Sequence, residues 1–309
     1  MTWEGTYDIG LFGPPEGSLV IENLRGVVSG RLDQPLLEAD RLRVEGGRIV
    51  AIGEGVNEAA DVVIDAEGAV ALPGLIDTHS HIVFGDYTPR QNVIGWIESY
   101  MHGGVTQVMS ASEVHLPGRP HDRVGVKALA IAAQRAYEAF RPGGVKVNSG
   151  SVICEPGLTR EDFQELAEAG VRLMKIGFGA FKDPGDAAPQ VQWAHECGFL
   201  VMSHSGGASI PGSSPIMVHH LLALKADIAG HINGGTSALP NDDLERLIDE
   251  SEMALQLVQA GNLRSSLFIL GKAREKGALE RVILGTDTPS GTGVMPLGML
   301  KTIAELTSL

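Results

Sequence analysis

The spacing of apolar positions divides the chain into two stretches of different rhythm. Across 17–68, short alternating or β-branched runs at 19–21, 42–44 and 62–64 are separated by Gly, Asp and Asn, the punctuation of brief strands joined by turns. GGRIVAIG at 46–53 reads as a hairpin strand leaving a Gly-Gly turn. These runs predict the N-terminal part of a small β-sandwich domain over residues 1–68. From 69 onward an apolar run, a polar loop and an amphipathic stretch recur, which is the pattern of βα units and a parallel sheet. Eight strands are expected at 70–81, 104–110, 145–153, 171–177, 199–205, 226–232, 253–258 and 281–287, with helices between them at 123–140, 161–169, 186–197, 244–250 and 263–276. Several helices open on Thr, Asp or Ser and close on Gly, as capping requires. The fold expected is therefore α/β: a TIM-like (β/α)8 barrel over 69–309, whose chemistry sits at the C-terminal ends of its strands.

Composition narrows the class of partner. With 309 residues, 43% of them hydrophobic and 20% charged, the chain has enough apolar mass for one large barrel and a small accessory domain. A net charge of −14 argues against a nucleic-acid backbone or an anionic membrane surface as the main partner. Cys154 and Cys197 lie far apart with no CxxC spacing, so both are expected to be reduced core residues. The first residues, MTWEGTYDIG, lack a basic region followed by an apolar run. No apolar stretch approaches the ~18 to 20 residues that cross a bilayer, and a cytoplasmic location is expected.

Candidate chemistry begins at the end of the run VALPGLI, with Asp77-Thr78-His79-Ser80-His81. Residues two apart on a strand face the same way, with ~6.6 Å of rise between them. Two imidazoles so placed can converge on one ion at Zn–N distances of ~2.0–2.1 Å. Four later strands end in residues able to complete the site: Lys175 in LMKIGFG, His204 in VMSHSGG, His231 in AGHINGG and Asp287 in ILGTDTPSG. Each alone has a bland alternative, such as a satisfied core histidine, a solvated lysine or a helix-capping aspartate. Together the bland readings require five coincidences at one end of one barrel.

With these residues and the strings DYTPRQ (86–91), HLPGRP (115–120), SGGASIPGSS (205–214), GHINGG (230–235) and DTPSGTG (287–293), the sequence resembles the amidohydrolase superfamily, and within it the enamidase group of cyclic amide hydrolases. The resemblance runs from about Ser18 to the last helix. It implies a binuclear site in which His79, His81 and Asp287 serve one divalent metal and His204 and His231 the other, with Lys175 bridging them as a carbamate. Zinc stands first, with iron or manganese as alternatives. Superfamily members fill the fourth-strand position with lysine or glutamate; this chain departs from the enamidases, which carry glutamate there. The resemblance also implies a small-molecule substrate and a homo-oligomer, with a tetramer as the expected state.

The expected reaction is attack of metal-activated hydroxide on a cyclic amide, a lactam or enamide bearing a carboxylate. Asp287 would carry the proton to the leaving nitrogen. Arg90 and Arg119 lie on loops at the active-site rim, each either binding a substrate carboxylate or making a loop salt bridge. His115 would hydrogen-bond the substrate or serve the loop structure. His219 and His220, in IMVHHLLALK, are expected on a helix face. The same metal site could instead serve a deaminase, lactonase or dipeptidase, and a non-catalytic metal-binding barrel is the reading from another class. Relatives of this type return after the barrel to finish the sandwich. The chain ends at MLKTIAELTSL, so the sandwich strands that follow the barrel are expected to be missing from an incomplete sequence.

Overall fold

The structure, a computed structural model, describes residues 17–54, 56, 59–82, 96–114, 118–138, 140–208, 210–234, 237–289 and 293–307. The chain separates into two compact units, Met1–Gly74 and Leu75–Leu309.

In the smaller unit β1 (Ser18–Glu22), β2 (Gly26–Val28), β3 (Leu36–Leu37), β4 (Leu42–Glu45), β5 (Arg48–Ile52), β6 (Val62–Asp65) and β7 (Val70–Ala71) form two small sheets, ordered β5-β4-β1-β6 and β3-β2-β7. Their shared apolar core is Leu24, Val27 and Leu42, with Ile21, Leu37 and Val44 against it. The β4–β5 hairpin turns on Gly46 and Gly47, whose φ values of 53° and 74° are those of a turn that needs left-handed backbone at both central residues. The boundary falls at Gly74 rather than after residue 68, because Val70 and Ala71 pair in parallel with Gly26 and Val27.

The first strand of the larger unit is β8 (Leu75–Ser80), followed by α1 (Trp96–Ser99), β9 (Val105–Ser110) and α2 (Arg123–Tyr137). The third expected strand is broken into β10 (Lys146–Asn148) and β11 (Ser151–Ile153). After these the chain alternates as α3 (Arg160–Glu168), β12 (Leu173–Ile176), α4 (Ala188–Glu196), β13 (Leu200–Ser203), α5 (Val218–Leu224), β14 (Ile228–Ala229), α6 (Asn241–Glu250), β15 (Ala254–Val258), α7 (Leu263–Glu275), β16 (Val282–Gly285) and α8 (Gly298–Thr307). Helix starts are set as the composition suggests: Asp122 accepts from Val124 N and Gly125 N, and Asn262 accepts from Ser265 N.

All strand pairs in this unit are parallel, in a three-stranded sheet β10-β9-β8 and a six-stranded sheet β11-β12-β13-β14-β15-β16. Parallel strands packed under helices read as near-continuous apolar runs. Val152, Ile176, Val201 and Leu255 accordingly pack with helix residues Phe163, Leu166, Leu221 and Ile269 in the main core. Where β10 gives way to β11, the Glu113 carboxylate accepts from Gly150 N at 2.6 Å and Ser151 N at 2.9 Å, satisfying amides between the two short strands. Beyond β16, Asp287 N donates to His79 O at 2.8 Å and His81 N donates to Thr288 O at 2.9 Å. Thr78 Oγ1 donates to Leu284 O at 2.7 Å. These bonds tie the first strand of the unit to the last and set the register of the residues that follow. Among the described residues no helix is long and apolar enough to cross a membrane.

Candidate metal centre

His79 and His81 both emerge on one side at the end of β8, their ring centroids 5.3 Å apart. Asp287, two residues past β16, meets them there: its Oδ1 lies 3.0 Å from His81 Nε2 and 3.5 Å from His79 Nε2. One donor atom from each of the three falls within 4.8 Å of the others. Asp287 reaches this position with φ +60°, and His231 reaches its own with φ +39°. A non-glycine residue there costs about 1–2 kcal/mol, and such strain concentrates at functional sites.

His204, just past β13, and His231, just past β14, form the neighbouring pair, with His204 Nδ1 2.9 Å from His231 Nε2 and centroids 4.5 Å apart. The His231 ring is 5.1 Å from that of His79, so the two groups share one chamber. His204 Nε2 donates to Gly207 O at 2.6 Å, so the Nδ1 that meets His231 Nε2 carries the lone pair of the neutral ring. Lys175, in β12, is fully buried; its Nζ lies 3.3 Å from Met202 Sδ and 5.7 Å from the centre of the Phe178 ring. That ring stands 6.4 Å from both His81 and His204, as an apolar wall.

Burial decides the protonation states. It drives His79 and His231 well below the ordinary imidazole value and His204 down to about 4, with the Lys175 amine pushing each the same way. Burial also lowers Lys175 to about 7, against the pull of Asp287, so an appreciable fraction of the amine is neutral near pH 7. Burial acts to raise the Asp287 carboxyl, but the hydrogen bond from His81 Nε2 opposes it, and Asp287 is held well below the carboxylate range.

Three supporting residues escaped the sequence reading. Asp77 is fully buried and accepts from His79 N, Thr286 N, Ser80 Oγ and Thr286 Oγ1, at 2.5–3.1 Å, bracing β8 against the strand end that carries Asp287. Gln256, in β15, hydrogen-bonds His79 Nδ1 at 2.6 Å. Gly285 packs against His79 so closely that a Cβ would lie 2.7 Å from His79 Cβ. The Asp of DTHSH and the Gly of LGTD were visible as parts of their motifs; a lone Gln in ALQLV carried no signal.

The expected substrate contacts fare differently. Arg119 is buried, and its guanidinium takes the salt-bridge alternative: Nη2 donates to Glu155 Oε1 at 2.5 Å and to Phe178 O at 2.6 Å, and Nη1 to Pro120 O. Arg90 and His115 lie outside the described residues. His219 and His220 sit on α5 with ring centroids 3.8 Å apart, His220 3.4 Å from Asp183.

The donor set suits a divalent cation. His79 Nε2 is buried with no hydrogen-bond partner and faces Asp287, and neutral imidazoles beside an ionised carboxylate are what such an ion requires. A parallel α/β scaffold presenting a His-x-His pair, an aspartate and two further histidines from separate strand ends defines a metal-binding hydrolase of the amidohydrolase type. The comparisons with known proteins make this specific. No protein-family model matches the chain. The enamidase of Eubacterium barkeri is 47% identical over 294 residues, spanning 94% of this chain and 76% of that protein. An imidazolonepropionase of Anaeromyxobacter is 26% identical over 91% of this chain and 76% of its own length. A solved enamidase structure, described as a new member of the amidohydrolase superfamily, superimposes with a TM-score of 0.89 at 46% identity, covering 94% of this chain and 77% of that one. A putative prolidase from Bifidobacterium longum shares the fold alone, at a TM-score of 0.56 and 16% identity. The chain belongs to the enamidase family of the amidohydrolase superfamily.

Proposed function

We propose that the chain opens a carboxylate-bearing cyclic amide, a lactam or enamide ring, by metal-dependent hydrolysis at one rim of a closed (β/α)8 barrel accompanied by a small sandwich. The observation that carries this reading is the convergence of His79, His81 and Asp287 around a buried, unpartnered His79 Nε2, beside His204, His231 and Lys175. Its nearest support among relatives is the 47% identity to an enamidase.

In this reading His79, His81 and Asp287 hold one divalent ion and His204 and His231 a second, zinc first and iron or manganese next. Bound there, the metal supplies a water acidified toward ~7 and polarises the scissile carbonyl. Lys175 contributes an anion of its own making. Its neutral amine would bond to the carbon of CO2 and release one proton, and the resulting carbamate would add an anionic donor beside His204 and His231. Burial favours this by lowering the amine to about 7. Asp287, ionised and with its side chain 23% exposed, receives the proton of the attacking water and delivers it to the ring nitrogen as the C–N bond breaks. Arg90 and His115 are assigned to the substrate carboxylate and carbonyl. Arg119 acts through Glu155 and the backbone of Phe178. A homo-oligomer, with a tetramer as the expected state, is part of the same reading and is measured by light scattering.

The test is a panel of five- and six-membered cyclic amides, with and without a ring carboxylate, alongside lactone, dipeptide and amidine controls. Carboxylated rings should be opened, a chelator should abolish the activity, and zinc should restore it. Turnover of amidine, lactone or dipeptide alone would assign the site to a deaminase, lactonase or dipeptidase. Intact-mass analysis under CO2 should add one carbon dioxide to the wild type and none to Lys175→Ala.

A further inference from the structure

Gln256 is fully buried in β15 and spends all four of its hydrogen-bonding positions inside the site. Its Nε2 lies 3.0 Å from Thr78 O and 2.9 Å from Thr78 Oγ1, and its Oε1 lies 3.1 Å from His231 N and 2.6 Å from His79 Nδ1. Two of these partners have fixed chemistry. Thr78 O only accepts and His231 N–H only donates, so the amide can sit one way round; a flip would set two acceptors together at Thr78 and two donors together at His231. Thr78 Oγ1 agrees, since its own proton goes to Leu284 O and it accepts from Gln256. The atom facing His79 Nδ1 is therefore an oxygen. His79 must carry its proton on Nδ1 and leave the lone pair on Nε2, the buried atom without a hydrogen-bond partner, 3.5 Å from Asp287 Oδ1.

From this geometry we infer that Gln256 is a positioning residue that fixes the tautomer of His79, so that Nε2 is its metal-donor atom, and through His231 N sets the neighbouring ligand's backbone on the same oxygen. The role follows from what a ligating imidazole needs. Its second nitrogen must hold a proton, and a partner for that proton fixes the ring's orientation and raises its basicity. The sequence separation of 177 residues between His79 and Gln256 shows the reach of the device. The His79 tautomer stands on hydrogen bonding alone. Its consequence for metal affinity rests on the metal-dependent reading above.

Two variants and two readouts test it. Gln256→Met keeps the length and removes the acceptor; Gln256→Glu, in this buried place protonated on the oxygen that faces Thr78, keeps both a donor there and the acceptor at His79 Nδ1 and His231 N. Nitrogen-15 NMR of the metal-free wild type should show His79 protonated at Nδ1, and the Met variant should lose that preference. Competition with a chromophoric zinc chelator should show about 10–100-fold weaker zinc binding in Gln256→Met and little change in Gln256→Glu. Proton occupancy at Nε2 in the wild type overturns the inference, as does a folded Met variant that binds zinc as tightly as the wild type. If neither variant folds, the wild-type spectrum decides. A wild type that shows the Nδ1 proton but binds no zinc or other divalent ion would contradict the metal reading and leave the tautomer assignment standing.

Discussion

Asp287 is asked to do two things, to help hold a cation and to move a proton, and the structure gives reasons for both. Its Oδ1 touches both imidazoles of the His-x-His pair, while part of its side chain remains open to solvent where a substrate would arrive. Asp287→Asn keeps the size but loses the negative charge and the proton-accepting capacity. Turnover should fall about 10²–10⁴-fold, and a variant within a few-fold of wild type would remove the proton role. Glu113 shows the same physics without chemistry. Burial raises its carboxyl from 4.5 to about 7, against the opposing pull of Ser151 N, the Ser110 hydroxyl and Gly150 N. A folded chain that holds this proton longer than the unfolded chain has its full advantage below about 4.5 and loses it as pH rises through about 7. The swing is on the order of 3 kcal/mol. Denaturant titrations from pH 4.5 to 7.5 should therefore show a fall in wild-type stability that Glu113→Gln flattens. Parallel curves for the two proteins would count against the assignment.

At the scale of elements, strand ends position the chemistry, and the strands can come close only where side chains allow. Gly285, at the end of β16, faces His79 Cβ at 2.7 Å and His79 N at 2.9 Å from where a Cβ would stand. Those are backbone and near-backbone atoms that cannot swing aside. Gly285→Ala should cost about 1–3 kcal/mol and weaken zinc binding with it, read as a lowered denaturation midpoint and a raised zinc Kd; an unperturbed variant would show that the contact is relaxed at no cost. This close packing also explains what could be read in advance. His79, His81, His204, His231, Lys175 and Asp287 each follow an apolar run, so the period of the strands marked them as strand-end residues facing one rim. The first strand starts at Leu75 and not at residue 70 because Val70 and Ala71 pair with β2, a partner that local pattern cannot reveal. The break between β10 and β11 was likewise hidden, since it depends on a carboxylate 37 residues away. Arg119 could be placed on its loop, but the choice between a substrate and Glu155 needed the three-dimensional neighbour. Gln256 gave no sign at all, because a glutamine in a strand has meaning only through what lies across from it.

At the scale of the whole molecule, the larger unit brings histidines from three strands and an aspartate from a fourth into one chamber, with a buried lysine nearby. Burying so many ionisable groups is costly unless something neutralises them, and a cation is what the neutral imidazoles and the ionised Asp287 suit. Metal should accordingly stabilise the fold as well as activate it, because a ligand that binds only the folded state adds about 2.7 kcal/mol at a hundred times its Kd. The central claim is that hydrolysis depends on the metal these side chains hold. Its most direct test is to strip the purified protein of metal, add zinc stepwise, and record bound zinc and ring-opening rate on the same samples. The account predicts that activity is absent at zero occupancy and rises in step with bound metal, and that His79→Ala binds less and turns over less. Full activity in the stripped protein would contradict it.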